Sequence, residues 1–113
     1  MAISKIDKPH WHDYFERVSK ILIGKSAELE VDSLEIGSQI EAEWVPLLGI
    51  VYDKRSDIMA VMVEGLDHMI RQPQTVFVDM TGSALSSVEI VDADRSRHLL
   101  KLRDPLMLAP PQA

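Results

Sequence analysis

The sequence predicts an α+β fold, an N-terminal helix packed on an antiparallel meander of about seven strands that forms a curled sheet or partly open barrel. Two observations carry that reading. A single segment near the start repeats its apolar residues at helical spacing, and from Ala27 onward the apolar period is two, with short polar connections.

The helix is expected over residues 9–23, where Trp11, Phe15, Val18 and Leu22 recur at spacings of four, three and four, flanked by Tyr14 and Ile21. At about 100° per residue these side chains fall within an arc of about 120°, which faces a core. Pro9 suits a first helical turn and Gly24 the residue just past a helix end.

Ala27, Leu29 and Val31 then alternate with Glu28, Glu30 and Asp32, as a strand with one wet face requires. In residues 34–44, Leu34, Ile36, Ile40, Ala42 and Trp44 share a face with Ser38, opposite Glu35, Gln39, Glu41 and Glu43, and Pro46 is expected to interrupt the ladder. Residues 47–52 and 58–63 read as a hairpin through "DKRSD". The second run is apolar on both faces, which places it inside the sheet or between sheet and helix. "GLDHMIRQP", bounded by Gly65 and Pro73, is expected to form a single helical turn. Residues 74–79, 85–91 and 97–103 supply further strands, the last two joined by "DADRS". The expected organisation is an N-terminal extension (1–8), one domain (9–104) and a proline-rich tail (105–113).

A chain of 113 residues supports one core, because a domain of this size buries roughly two-thirds of its unfolded surface. Its 46% hydrophobic and 27% charged residues argue for a folded chain. The net charge of −6, with no basic stripe, makes nucleic acid a poor partner. Acidic residues concentrate between Glu28 and Glu43, a stretch without Lys or Arg, while residues 1–25 hold five basic groups against three acidic ones. The commoner reading of that asymmetry is a solvated sheet face beside a more basic helix, and the alternative is the steering of a cationic partner. The absence of cysteine excludes disulfides, thiolate metal sites and a cysteine nucleophile. No apolar run is long enough for a membrane helix and the start lacks the apolar core of a signal peptide, so a cytoplasmic location is the default expectation.

"PHWHDYF" at 9–15 looks like a metal or catalytic site, yet on a helix His10 and His12 point about 160° apart and do not chelate one ion. His12 instead meets Glu16, four residues on. "DADRS" begins as a calcium loop with Asp92, Asp94 and Ser96, but Arg97 and Arg103 occupy the positions that need glycine and glutamate. Glu41 and Glu43 lie about 7 Å apart on one strand face without an aromatic platform. Phosphate-cradling loops and the G-x-S-x-G elbow are absent from the sequence. The six methionines suit core filling better than an adaptable surface.

His68 is the histidine with the strongest claim to function, since it follows Asp67 in a connection between strands. Asp67, His68 and Arg71 are the expected ligand-binding residues; no catalytic residue is assigned and neither metal nor cofactor is expected. The commoner role for such a histidine is to fix its turn by hydrogen bonds.

The order of elements, and above all "PLLGIVYD" and "DHMIRQP", resembles a small bacterial family catalogued as a domain of unknown function, over roughly residues 10–103. The resemblance implies a stand-alone bacterial domain and transfers no catalytic residue; it points to Asp67, His68 and Pro73 as positions to probe. The expected function is a non-enzymatic protein-binding or accessory module, contacting a protein partner or a second copy of itself, with no membrane role. The alternative is a small-molecule or metal-binding domain with hydrolytic activity centred on His68.

Overall fold

The computed structural model describes residues 2–82 and 84–103. One helix, α1 (Trp11–Leu22), follows strand β1 (Ala2–Ile6) and a 3₁₀ turn (Lys8–His10). Seven strands come after it: β2 (Ser26–Ser33), β3 (Gly37–Asp53), β4 (Ile58–Val63), β5 (Leu66–Arg71), β6 (Pro73–Thr81), β7 (Ala84–Asp92) and β8 (Arg97–Arg103). All neighbours pair antiparallel in the order β1-β6-β7-β8-β2-β3-β4-β5. The sheet therefore has eight strands, with β1 and β5 at its ends, and is not closed into a barrel.

Two added strands and one fusion take the expected seven strands to eight, because the segments expected at 34–44 and 47–52 run on as the single strand β3. Residues 2–6, read from sequence as an extension, form an edge strand on β6, with Ile3 opposite Asp79. The "LDHMIR" segment is a strand and not a helical turn, because its real period is two. Leu66, His68 and Ile70 turn inward while Asp67, Met69 and Arg71 are exposed. Gly65, at φ +88°, makes the tight reversal from β4 that a residue with a Cβ resists. The proline-rich tail, 105–113, lies outside the described residues.

β3 is the bent spine of the fold. Its first half pairs with β2 and its second half with β4. Bulges at Glu41 and at Glu43–Trp44 fall between Ile40, Ala42 and Val45 in the register with β2, and a third falls at Leu48 against β4. Trp44 has φ +51°, a left-handed conformation unusual for a bulky side chain, and its ring lies 3.8 Å from the Arg103 guanidinium. Pro46 does not interrupt the strand. It is exposed, and its carbonyl accepts the Glu64 amide at 2.9 Å.

Beyond that bend, α1 covers the side of β3 that has no strand neighbour. Ser19 Oγ accepts the Ile50 amide and donates to the Ile50 carbonyl, both at 2.9 Å, and so takes the place of a strand partner. The His12 Nδ1–H donates to the Tyr52 carbonyl at 3.1 Å. Trp11, Phe15 and Leu22 are buried from the helix, and Trp11 meets Tyr52 edge to face at 5.1 Å. Against them lie Leu47 and Ile50 of β3, Met59, Val61 and Val63 of β4, and Leu29, Val88, Ile90 and Leu100 from the other half of the sheet. β4 sits between two strands, as its two apolar faces require.

Candidate functional site

Two histidines separated by thirty residues meet in the interior. β5 turns His68 inward between Leu66 and Ile70; β8 turns His98 inward beside Leu100 and Leu102. The two strands share no ladder, yet the curl of the sheet sets His68 Nε2 2.9 Å from His98 Nδ1, with ring centroids 5.0 Å apart.

His98 is buried, and its second nitrogen, Nε2, lies 2.9 Å from Asp92 Oδ2. Asp92 ends β7 and organises the following turn: its Oδ1 accepts the amides of Asp94 at 2.9 Å and Ser96 at 3.0 Å. One carboxylate thus holds both the turn and the imidazole. An ionised carboxylate only accepts, so His98 Nε2 carries a proton. In the neutral pair, His98 Nδ1 is then bare and accepts the His68 Nε2–H.

Burial, and next the charge of His98, hold the His68 pKa below the ordinary histidine value, while the charge of Glu41 acts against both. Glu41 is an exposed residue of the β3 bulge, where it has no partner on β2. The site thus draws on β3, β5, β7 and β8. It can relay a single proton from His68 toward Asp92. Both His98 nitrogens are committed within the chain, and among the described residues no group of three or more His, Asp or Glu side chains is placed to hold a metal ion.

The other expected ligand-binding residues do not join His68. Asp67 and Arg71 point to solvent from the opposite face of β5. His12 lies 3.8 Å from Glu16, the pairing that the helix spacing indicates, whereas His10 lines a separate surface cavity with Asp13 and Arg17. His98 escaped the sequence reading, although its inward position in the alternating segment 97–103 was a usable signal.

A second polar cluster closes the β3–β4 turn. Tyr52 Oη donates to Asp57 Oδ1 at 2.6 Å, and Lys8 Nζ stands 3.3 Å from the same oxygen. Burial, followed by the hydrogen bond to Asp57, pushes the Tyr52 pKa up to about 12. The Tyr52 hydrogen bond, with Lys8 in support, lowers that of Asp57. Asp53 serves its own turn through the Arg55 amide and the Ser56 hydroxyl.

Residues 2–111 match the family described as Family of unknown function (DUF5335). An uncharacterized protein of the bacterium Aquifex aeolicus (strain VF5) is 35% identical over 109 residues, covering 96% of this chain and 98% of that protein. No solved structure matches the chain. No helix among the described residues is long and apolar enough to cross a membrane.

Proposed function

We propose that this chain, which belongs to the DUF5335 family of unknown function, is a non-enzymatic binding module that contacts a protein partner through the arm formed by β2, β3 and their turn. The observation that carries this reading is the exposure of Leu34, Ile36 and Ile40, at 79%, 63% and 49%, around a single turn. Expected from sequence to share a strand face, Leu34 and Ile36 instead sit in the turn, where the Ile36 amide donates to Ser33 Oγ at 3.1 Å. Glu35 lies between them in the turn, Glu41 and Glu43 follow along β3, and all three are exposed. Such a surface suits a partner that offers apolar groups framed by Lys or Arg. Among the described residues the first half of β3 has β2 as its only strand neighbour, and its glutamates discourage indiscriminate edge pairing.

The test is a photo-crosslinking residue at position 36, with position 20, on the exposed side of α1, as the control. A discrete adduct is expected from position 36 alone, and it should vanish when Leu34→Lys and Ile40→Lys are added. Identical adducts from both positions would remove the proposal. An adduct of twice the chain mass would identify a second copy as the occupant.

A second reading, a small-molecule site at His68, draws on the Asp92–His98–His68 chain, since a carboxylate-oriented imidazole is a common proton carrier. In that reading Glu41, not Asp67 or Arg71, is the carboxylate whose charge acts on His68.

A further inference from the structure

β5 ends the sheet, and among the described residues no strand pairs with its outer edge. The Gln72 amide donates to the Asp57 carbonyl at 2.9 Å, in step with the β4–β5 register. Met59–Ile70, Val61–His68 and Val63–Leu66 are therefore the pairs that exchange backbone hydrogen bonds. Leu66, His68 and Ile70 direct their backbone groups to β4, while those of Asp67, Met69 and Arg71 face the open edge.

Open edges are usually blunted by lysine, proline or a bulge. β1, at the other end of the sheet, carries Lys5, and the free side of β3 is covered by α1 through Ser19. β5 reads "LDHMIR", with neither lysine nor proline, and its register with β4 is unbroken. On its outer face Met69 is 51% exposed and continues a cross-strand row from Val51, 46% exposed, through Ala60. Asp67 and Arg71 lie two residues to either side of Met69 on that face, both exposed, and neither forms an ion pair among the described residues.

We propose that β5 pairs antiparallel with β5 of a second copy of this chain, about a two-fold axis at Met69. The charges select that register. With Met69 opposite its symmetry mate, Asp67 of each copy stands opposite Arg71 of the other. An axis at Asp67 or at Arg71 would set like charges opposite one another, and an axis at His68 or Ile70 would face Met69 with one of the charges and lose both ion pairs. In the Met69 register the outward backbone groups of Asp67, Met69 and Arg71 all find partners. The Val51–Ala60–Met69 row then runs across the axis into the same row of the second copy. The contact is small, so the dimer is weak and concentration-dependent. It uses none of Leu34, Ile36 and Ile40 and does not depend on the partner surface proposed above.

The experiment is sedimentation equilibrium of the full chain from about 10 μM to about 1 mM, with amide hydrogen exchange at both ends of that range. A monomer–dimer equilibrium is expected, in which protection of the Asp67, Met69 and Arg71 amides rises with concentration more than that of His68 and Ile70. Asp67→Arg and Arg71→Asp should each weaken the dimer at least about tenfold, because each sets like charges opposite one another twice. Mixing the two variants should restore association, since every contact between positions 67 and 71 of unlike chains then joins opposite charges. The chain carrying both reversals should dimerise like the wild type. A chain that stays monomeric up to about 1 mM, a dimer indifferent to both reversals, or a mixture no tighter than either variant alone would overturn the proposal.

Discussion

His68 and His98 share one hydrogen bond between strands that share no ladder, so a single proton position joins the two halves of the sheet. Protonating both rings would set two cations at hydrogen-bond distance, and the chain therefore tolerates one added charge far better than two. Asp92 faces that charge from β7, Glu41 approaches from β3, and β4 contributes the apolar Val61 opposite His68.

The sign of the pH dependence follows from His68. Its pKa lies below the ordinary value in the fold, so on acidification the unfolded chain takes up that proton first, near pH 6.5. This group therefore makes stability fall as pH drops below about 6.5 and leaves stability unaffected above that range. Urea midpoints measured across the mildly acidic range should decline in the wild type and decline less in His68→Gln, whose amide still donates to His98. Parallel slopes in the two proteins would show that His68 does not carry the effect.

Asp92 is expected to be the most sensitive carboxylate. Asp92→Ala removes the acceptor of His98 Nε2 and of two turn amides, and each buried group left unpaired costs about 1–3 kcal/mol. Asp94→Ala, at an exposed neighbour, should stay within about 0.5 kcal/mol. Denaturant unfolding of both variants checks this, and equal losses would mean that the Asp92 carboxylate is not what fixes the turn and the imidazole.

Much of the fold was legible because burial imposes its period on the chain. Trp11, Phe15 and Leu22 mark the helix, and the alternation in 27–32 and 97–103 marks two strands. The two-sided apolar run 58–63 correctly indicated an interior strand. Residues 2–6 were not legible: four of the five are exposed, so no apolar face registers their pairing with β6. In 66–71 the inward polar His68 concealed the alternation. The site itself depended on tertiary geometry. Nothing local in "DHMIR" or "SRHLL" indicates that their histidines meet, because that contact follows from the β3 bulges and the curl of the sheet.

Ser19 offers a test of the helix as an edge cover. Ser19→Ala would leave the Ile50 amide and carbonyl without their shared partner, at about 1–3 kcal/mol. Hydrogen exchange at the Ile50 amide should accelerate beyond the change in global stability. Gly49→Ala provides a contrast. The new Cβ would come within 3.3 Å of Met62 Cε, the flexible end of a side chain, so the loss should be smaller than that of Ser19→Ala. An unchanged Ile50 amide in Ser19→Ala would refute the edge-cover role.

Tyr52 sets the alkaline limit. The fold holds its proton up to about pH 12, whereas an unfolded tyrosine releases it near pH 10. Between those values the native state binds more protons than the unfolded one, and stability must therefore fall as pH rises. Tyr52→Phe removes this dependence. It also removes the hydroxyl that donates to Asp57, leaving Lys8 as the other group paired with that carboxylate. The chain has two tyrosines, so absorbance near 295 nm in Tyr52→Phe reports Tyr14 alone. Burial raises the Tyr14 pKa while Arg17 lowers it. The difference between wild-type and variant titrations isolates Tyr52, and a midpoint near 10 would show that the Tyr52–Asp57 bond is not maintained in solution.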